Sequence, residues 1–376
     1  MDSPTLQRLA QQFMVNAVRT QPGDRIWVEY RGPKAQVLAE ACAAKVEEIG
    51  GHPFLLDTGA AVINSTVGTL SAEGIAALGD ERLAQMKTMQ GYIRVDDDAD
   101  QAKITLPPEQ MARYKKALQA VNDYRVNHTR WLVTTAPTEE LAAACDMSFA
   151  DFEAFYRDVC LLEYGKMTEA VKPLQKLMTE GRTVRIYSPS QETDLSFSIE
   201  GIPAIPCTGT LNIPDGECFT APVKDSIQGA IRFGPSVYDG QKFAFIKLTF
   251  QDGRIEKAQA ENAERTAMLN RMLDTDPGAR YVGEFSINFN PFIRHPTGSI
   301  LFDEKIDGGI HMAMGNCYDQ APNGNKSAVH WDMVHIQRPD YGGGELYIDG
   351  RLIRKDGTFV VPELLALNPE NLKAMH

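Results

Sequence analysis

Up to about residue 180 the apolar positions recur with helical spacing, interrupted by short β-rich runs. Thr5 to Thr20 predicts a helix, and the turn Pro22-Gly23-Asp24 leads into a strand over Arg25 to Tyr30. Ala35 to Ile49 is apolar at Val37, Leu38, Ala41, Cys42, Val46 and Ile49, near the period of an amphipathic helix. Gly50-Gly51 stops that helix, and a strand resumes over Pro53 to Leu56. Strand, helix, glycine stop and strand make a βαβ unit, which implies a parallel sheet because parallel neighbours need a crossover. Gly91 to Val95 predicts a further strand, ended by the acidic run from Asp96 to Asp98, and long helices are expected over Pro108 to Val126 and Ser148 to Thr179.

Beyond residue 180 short alternating runs and turns take over. Thr183 to Tyr187, Asp194 to Ile199 and Phe243 to Phe250 read as strands, and one helix is expected from Asn262 to Leu273. Asp252-Gly253, Asp349-Gly350 and Asp356-Gly357 lie between apolar segments as two-residue hairpin turns, since these residues tolerate the left-handed backbone such turns need. The pattern predicts an α/β N-terminal domain with a mainly parallel sheet over residues 1–180. An α+β, β-rich C-terminal domain is expected over residues 181–376.

A chain of 376 residues has room for two such cores. Its 43% hydrophobic and 23% charged residues include no run long enough to span a bilayer, which argues against a membrane protein. The opening residues Met1 to Thr5 carry no basic stretch followed by an apolar one, so no secretory signal is expected and the cytoplasm is the expected compartment. The net charge of −12, without a Lys/Arg stripe, argues against a nucleic-acid partner, because phosphate binding needs clustered positive charge. Six cysteines contain no C-x-x-C pair, the closest being Cys207 and Cys218, eleven apart, so free thiols are expected rather than a thiolate zinc site or disulfides.

Histidine carries the chemical signal. Four of the seven, His295, His311, His330 and His335, fall close together among carboxylates and turn glycines, the ligand mixture for zinc, manganese, cobalt or iron(II). On a strand, His330 and Asp332 share one face and Trp331 takes the other, so both can reach one metal region, although a surface pair would look the same. Glu217 follows a Pro-Asp-Gly turn, and Glu284 sits in the apolar run from Tyr281 to Phe289 without an adjacent Lys or Arg. A buried carboxylate needs a cation or several donors, and a metal would supply the charge; each glutamate singly also fits a solvated strand position or a salt bridge.

Read in order, five strings resemble the thermophilic aminopeptidase family, the leucyl aminopeptidase T group of metallopeptidases: Asn212 to Pro222, Gly283-Glu284-Phe285, Gly298 to Ile306, Ile310 to Tyr318 and Ser327 to Val334. Weaker similarity runs through the first half, in Pro22 to Asp24, in Arg130-Trp131 with Pro137-Thr138, and in Thr193 to Leu195. The resemblance implies a two-metal site in the C-terminal domain, with Glu217, Glu284, His311, His330 and Asp332 as ligands and Glu304 as a sixth. Tyr318 matches a tyrosine implicated in catalysis, and Glu284 or Glu217 is implied as proton shuttle. Two divalent ions, zinc, cobalt or manganese, a peptide substrate with a free N-terminus, and a homodimer follow as expectations. Six candidate side chains, four of them carboxylates, exceed the needs of one three-ligand centre and suit two ions about 3.5–4 Å apart. The chain departs from the family where Ser286 to Asn290 replaces a glycine-rich stretch and where Cys317 adjoins the tyrosine, which bears on substrate preference. The alternative is a ring-cleaving dioxygenase of the 2,5-dihydroxypyridine type, which shares the resemblance and uses a single iron(II).

Overall fold

The computed structural model describes residues 1–374, with Asp98 described by its backbone alone. The chain forms two compact units, Met1–Leu161 with Gly209–Pro214, and Leu162–Thr208 with everything from Asp215 onward. Among the described residues no helix is long and apolar enough to cross a membrane, and all six cysteines are free thiols.

The first unit is built on a parallel sheet in the order β2-β1-β3-β4, with β1 at Arg25–Arg31, β2 at His52–Asp57, β3 at Gly91–Asp96 and β4 at Arg130–Thr135. Period-two alternation gives the sheet two different faces. Ile26, Val28, Ile93, Val95 and Leu132 are fully buried, and α2 (Pro33–Ile49) packs on β1 and β3 beside α1 (Ser3–Gln11) and its π-helical continuation Gln12–Ala17. Gly50 ends α2 in the left-handed conformation, φ 91°, where its N–H reaches the carbonyl of Val46, the stop that the Gly-Gly pair implied. The opposite face carries Trp27, Glu29, Arg31, Tyr92, Arg94 and Trp131, in register across β1, β3 and β4. Around it lie α3 (Ala60–Thr66), α4 (Ala72–Met86), α5 (Asp98–Gln101), α6 (Pro108–Ala117) and α7 (Gln119–His128). The helix expected over Pro108 to Val126 is therefore broken at Leu118, which packs into the cluster of Trp27, Met86, Tyr92 and Val121.

The helix expected from Ser148 to Thr179 also divides, into Phe149–Cys160 in the first unit and Tyr164–Glu180 in the second. The latter packs on the strands Ile205–Cys207 and Glu217–Thr220. The division between units thus falls at Leu161, ahead of the position near 180 where the hydrophobic texture changes. The second unit holds an eight-stranded antiparallel sheet running from Arg254–Ala260 to Thr358–Phe359 and a five-stranded antiparallel sheet. In chain order the latter's strands are Ile205–Cys207, Glu217–Thr220, Val282–Asn288, Gly309–Gly315 and His330–Ile336, each beside the next. At Asp252-Gly253, Asp349-Gly350 and Asp356-Gly357 both residues have positive φ, the geometry of type I′ turns. The helix Ala263–Leu273 starts from the Asn262 side chain, which accepts the Arg265 N–H. Phe197 of the larger sheet meets Phe285 of the smaller edge to face at 5.0 Å, and Trp331 stacks on Tyr238 at 4.7 Å while donating to Ser236 Oγ at 2.9 Å.

Candidate metal centre

The strands Val282–Asn288 and Gly309–Gly315 are buried along their whole length, so polar residues on them must find partners inside the protein. Register brings those residues together: Ser286 pairs with His311 and Phe219, Asn288 with Glu217, Ala313 with Asp332, and Gly315 with His330. The ladder between the two buried strands slips by one residue between Val282 and Glu284, a β-bulge centred on Gly283. Only glycine fits there, because a Cβ would lie 2.2 Å from the Asn316 carbonyl oxygen. That same oxygen accepts His330 Nδ1 at 3.0 Å, so the bulge both aims Glu284 and leaves room for the group that orients His330.

Five of the residues singled out by sequence meet in one buried cluster. His311 Nε2 lies 3.4 Å from Glu217 Oε2, 3.5 Å from Glu284 Oε1 and 3.9 Å from Asp332 Oδ1. His330 Nε2 lies 3.4 Å from Glu284 Oε2 and 3.5 Å from Asp332 Oδ1. Two donor groups result, Glu217 with Glu284 and His311, and Glu284 with His330 and Asp332, each with ligand atoms within 4.8 Å of one another. Glu284 belongs to both and offers one oxygen to each. On the far side of the rings, His311 Nδ1 faces the Glu304 carbonyl at 2.9 Å and the Asn288 side-chain oxygen at 3.1 Å, as His330 Nδ1 faces Asn316. A carbonyl only accepts, so each Nδ1 carries a proton and each Nε2 faces the carboxylates, the orientation of a metal-ligating histidine.

The donor set fits divalent metal on two counts. Separations of 3.4 and 3.5 Å are long for hydrogen bonds, yet two ligand atoms on one ion with bonds of about 2.1 Å lie roughly 3.0 to 3.4 Å apart. Charge points the same way: the buried ammonium of Lys305 lies against Asp215, Glu217 and Glu304, while among the described residues Glu284 and Asp332 have only the two imidazoles within ion-pair distance. Burial alone would lower the imidazoles, but Glu217, Glu284 and Asp332 outweigh it and lift His311 to about 10. Burial likewise favours a protonated Asp332, yet the His330 and His311 rings hold its carboxyl well below the usual range. The carboxylates shift His330 in the same direction, so the surroundings of both rings favour positive charge.

The other expected residues stand differently. Glu304 lies outside both donor groups; its carboxylate is on Lys305 Nζ at 2.5 Å, and burial raises it to about 7. Tyr318 is 46% exposed, with its ring 4.8 Å from that of His330 and 5.6 Å from that of Phe219, at the open edge of an otherwise buried cluster. His295 is exposed beside Tyr341, and His335 points to the other face of its strand, between Arg232 O at 2.8 Å and Ser188 Oγ at 3.0 Å. The four-histidine cluster of the sequence is therefore two site residues and two others.

Sequence reasoning missed Lys305, 1% exposed, which holds Glu217 Oε1 at 2.8 Å and lies 4.0 Å from Asp215. It also missed Ser286, which donates to Glu217 Oε2 at 2.9 Å, and a third acidic group of Cys207, Asp215 and Glu217. The available signals were Asp215 inside the Pro-Asp-Gly-Glu string and a lysine following the acidic pair Asp303-Glu304 after the apolar Ile300-Leu301-Phe302.

The fold has known counterparts. AmpT from Thermus thermophilus superposes with a TM-score of 0.75 at 21% identity, covering 95% of this chain and 99% of that one. The 2,5-dihydroxypyridine dioxygenase of Pseudomonas putida KT2440 superposes with a TM-score of 0.62 at 15% identity, over 97% and 99% of the two chains. In sequence, Aminopeptidase T of Thermus thermophilus is 28% identical over 290 residues, 65% of this chain and 70% of that protein. Aminopeptidase 2 of Geobacillus stearothermophilus is 34% identical over 165 residues; that stretch is 39% of this chain and only 37% of the relative's own length. Residues 2–359 match the model of the thermophilic metalloprotease (M29) family, and the chain belongs to that family.

Proposed function

We propose that the protein is a metal-dependent aminopeptidase that removes the N-terminal residue of peptides at a two-metal site. Glu217, Glu284, His311, His330 and Asp332 would hold the ions, zinc, cobalt or manganese, with Glu304 at the margin. The observation that carries this reading is the pair of donor groups joined through Glu284, each of its oxygens turned to a different histidine. Bound divalent ions would supply Lewis acidity for the scissile carbonyl and a water acidified toward a pKa of about 7.

The chain's own residues supply the rest. Lys305 and Ser286 fix Glu217 through hydrogen bonds to its two oxygens, which holds that carboxylate in one orientation. Glu284 or Glu217 would pass a proton toward the leaving amine. Tyr318, exposed beside His330, has a hydroxyl free to meet substrate and hydrogen-bond the developing oxyanion. The acidic surroundings favour a substrate bearing a free amino group over a blocked one. The names of the aminopeptidase relatives support the same reading. A homodimer belongs to this proposal as an expectation from the family.

A matched pair of substrates tests it: a leucyl peptide and its N-acetylated form, assayed by mass spectrometry with added manganese, zinc or cobalt. Trimming of the free peptide one residue at a time, with the acetylated one resistant, is expected. Equal cleavage of both would overturn amine recognition. Cleavage of neither, with oxygen uptake on a dihydroxypyridine under iron(II), would transfer the chain to the dioxygenase chemistry whose fold it shares.

A further inference from the structure

The first unit contains a cavity of about 560 Å³ that the peptidase chemistry does not use, within the size range of small-molecule sites. It lies between the charged face of the parallel sheet and the helices α3 to α7. Its apolar wall includes Leu56, Ile63, Ile104, Leu106 and Met111, and its cationic side chains, Arg31, Arg82, Lys115 and Arg125, face a single carboxylate among the described residues, Glu29.

That carboxylate is already engaged. Glu29 Oε1 accepts Thr58 Oγ1 at 2.7 Å and Arg31 Nε at 3.3 Å, and Oε2 accepts the Tyr92 hydroxyl at 2.9 Å. Asp96, next on the same sheet face, is taken by Arg94 at 3.0 Å. Among the described residues Arg125 has no such partner: it is only 9% exposed, its guanidinium lies 4.9 Å from the Tyr92 ring and 4.6 Å from the Trp131 ring, and its Nε and Nη1 have no hydrogen-bond acceptor. Gln101 Nε2 and Trp27 Nε1, on residues lining the same cavity, are likewise buried donors without an acceptor. Every one of these four unpartnered atoms is a donor, and a buried donor left unpaired is costly.

We propose that this cavity binds a small organic anion, a carboxylate carried on an apolar body, whose oxygens pair with Arg125, Gln101 and Trp27. The planar guanidinium fork, set beside two rings, matches a carboxylate's two oxygens. The aliphatic wall rewards a hydrocarbon body, which separates this ligand from inorganic phosphate. The residues lining this cavity belong to the first unit, and the candidate metal ligands to the second.

Calorimetric titration of the metal-loaded full chain tests the proposal, with phenylacetate, 4-methylpentanoate and indole-3-acetate as probes, their uncharged amides as controls, and inorganic phosphate as the competing oxyanion. At least one carboxylate should bind roughly 10- to 100-fold more tightly than its amide, the range for a charged hydrogen bond. Arg125→Met should abolish that preference without lowering Tm, because it removes an unpaired buried charge, and peptidase activity should be unchanged. Gln101→Leu and Trp27→Phe, which each remove one donor, should weaken binding several-fold and serve if Arg125→Met does not fold. Binding should survive Asp332→Ala, which separates this cavity from the metal centre. Carboxylates binding no better than amides, phosphate binding more tightly than any carboxylate, or affinity unmoved by Arg125→Met and Gln101→Leu would each overturn it.

Discussion

His330 and Asp332 are the residues at which the proposed function is most exposed to test. Both contribute polar atoms to a buried cluster that also contains Glu284, and neither fills the hydrophobic core. Replacing either with alanine should abolish peptidase activity and bound metal while circular dichroism stays native; full activity with unchanged metal would remove them from the site. Tyr318 lies at the exposed edge, and if it supplies one oxyanion donor as proposed, Tyr318→Phe should lower kcat by roughly 10²–10³ at nearly constant KM. A change confined to KM would make it a substrate-binding residue. Lys305 is a different case, a fully buried ammonium serving Glu217 and Glu304. Lys305→Met should cost about 3–5 kcal/mol in urea denaturation, because it leaves buried carboxylates without their cation. A variant as stable as the parent would show that the carboxylates find other compensation.

The strands act as levers on these residues. Gly283 shapes the bulge that aims Glu284 and gives the Asn316 carbonyl room to accept His330. Gly283→Ala puts a Cβ 2.2 Å from that oxygen, and is expected to reduce activity roughly 10- to 100-fold, as loss of a ligand-orienting contact does. An alanine variant with parental kcat would mean that the bulge tolerates displacement. The strand that carries His330 and Asp332 turns His335 to its other face, where burial, with the charges of Arg354 and Arg232 adding to it, holds the ring down to about 4 from an ordinary 6.5. The unfolded chain therefore takes up this proton first as pH falls. The neutral ring's contribution is complete above about pH 6.5 and is lost between there and pH 4, up to about 3 kcal/mol. Denaturant midpoints measured across that window should show a pH slope that shrinks in His335→Asn, and an unchanged slope would assign the effect elsewhere. Alternation made this strand legible in the sequence: the H-x-D spacing put two ligand candidates on one face, and the Asp-Gly pairs marked three hairpins through the backbone they require. The break at Leu118 was not legible, since no glycine or proline marks it and the cause is packing against Trp27 and Tyr92 from distant strands. Lys305 was hidden for a similar reason, because a lysine beside an acidic pair reads as solvated until the fold buries it among carboxylates brought from other strands.

For the molecule as a whole, two units divide the chemistry. The second gathers an excess of buried negative charge around two histidines, and the first places a surplus of arginine and lysine around a cavity. The family resemblance also implies two copies of the chain, so light scattering at micromolar concentration should give twice the mass of 41.6 kDa, and a monomer would refute that expectation. Five carboxylates gathered with one lysine at the centre call for cationic compensation, which the proposed function assigns to two divalent ions. Elemental analysis of the purified, fully active protein is therefore decisive. Two equivalents of zinc, cobalt or manganese per chain, both reduced by substitution of Glu284, would support the two-metal peptidase. A single iron per chain, or full peptidase activity after complete removal of metal, would contradict it.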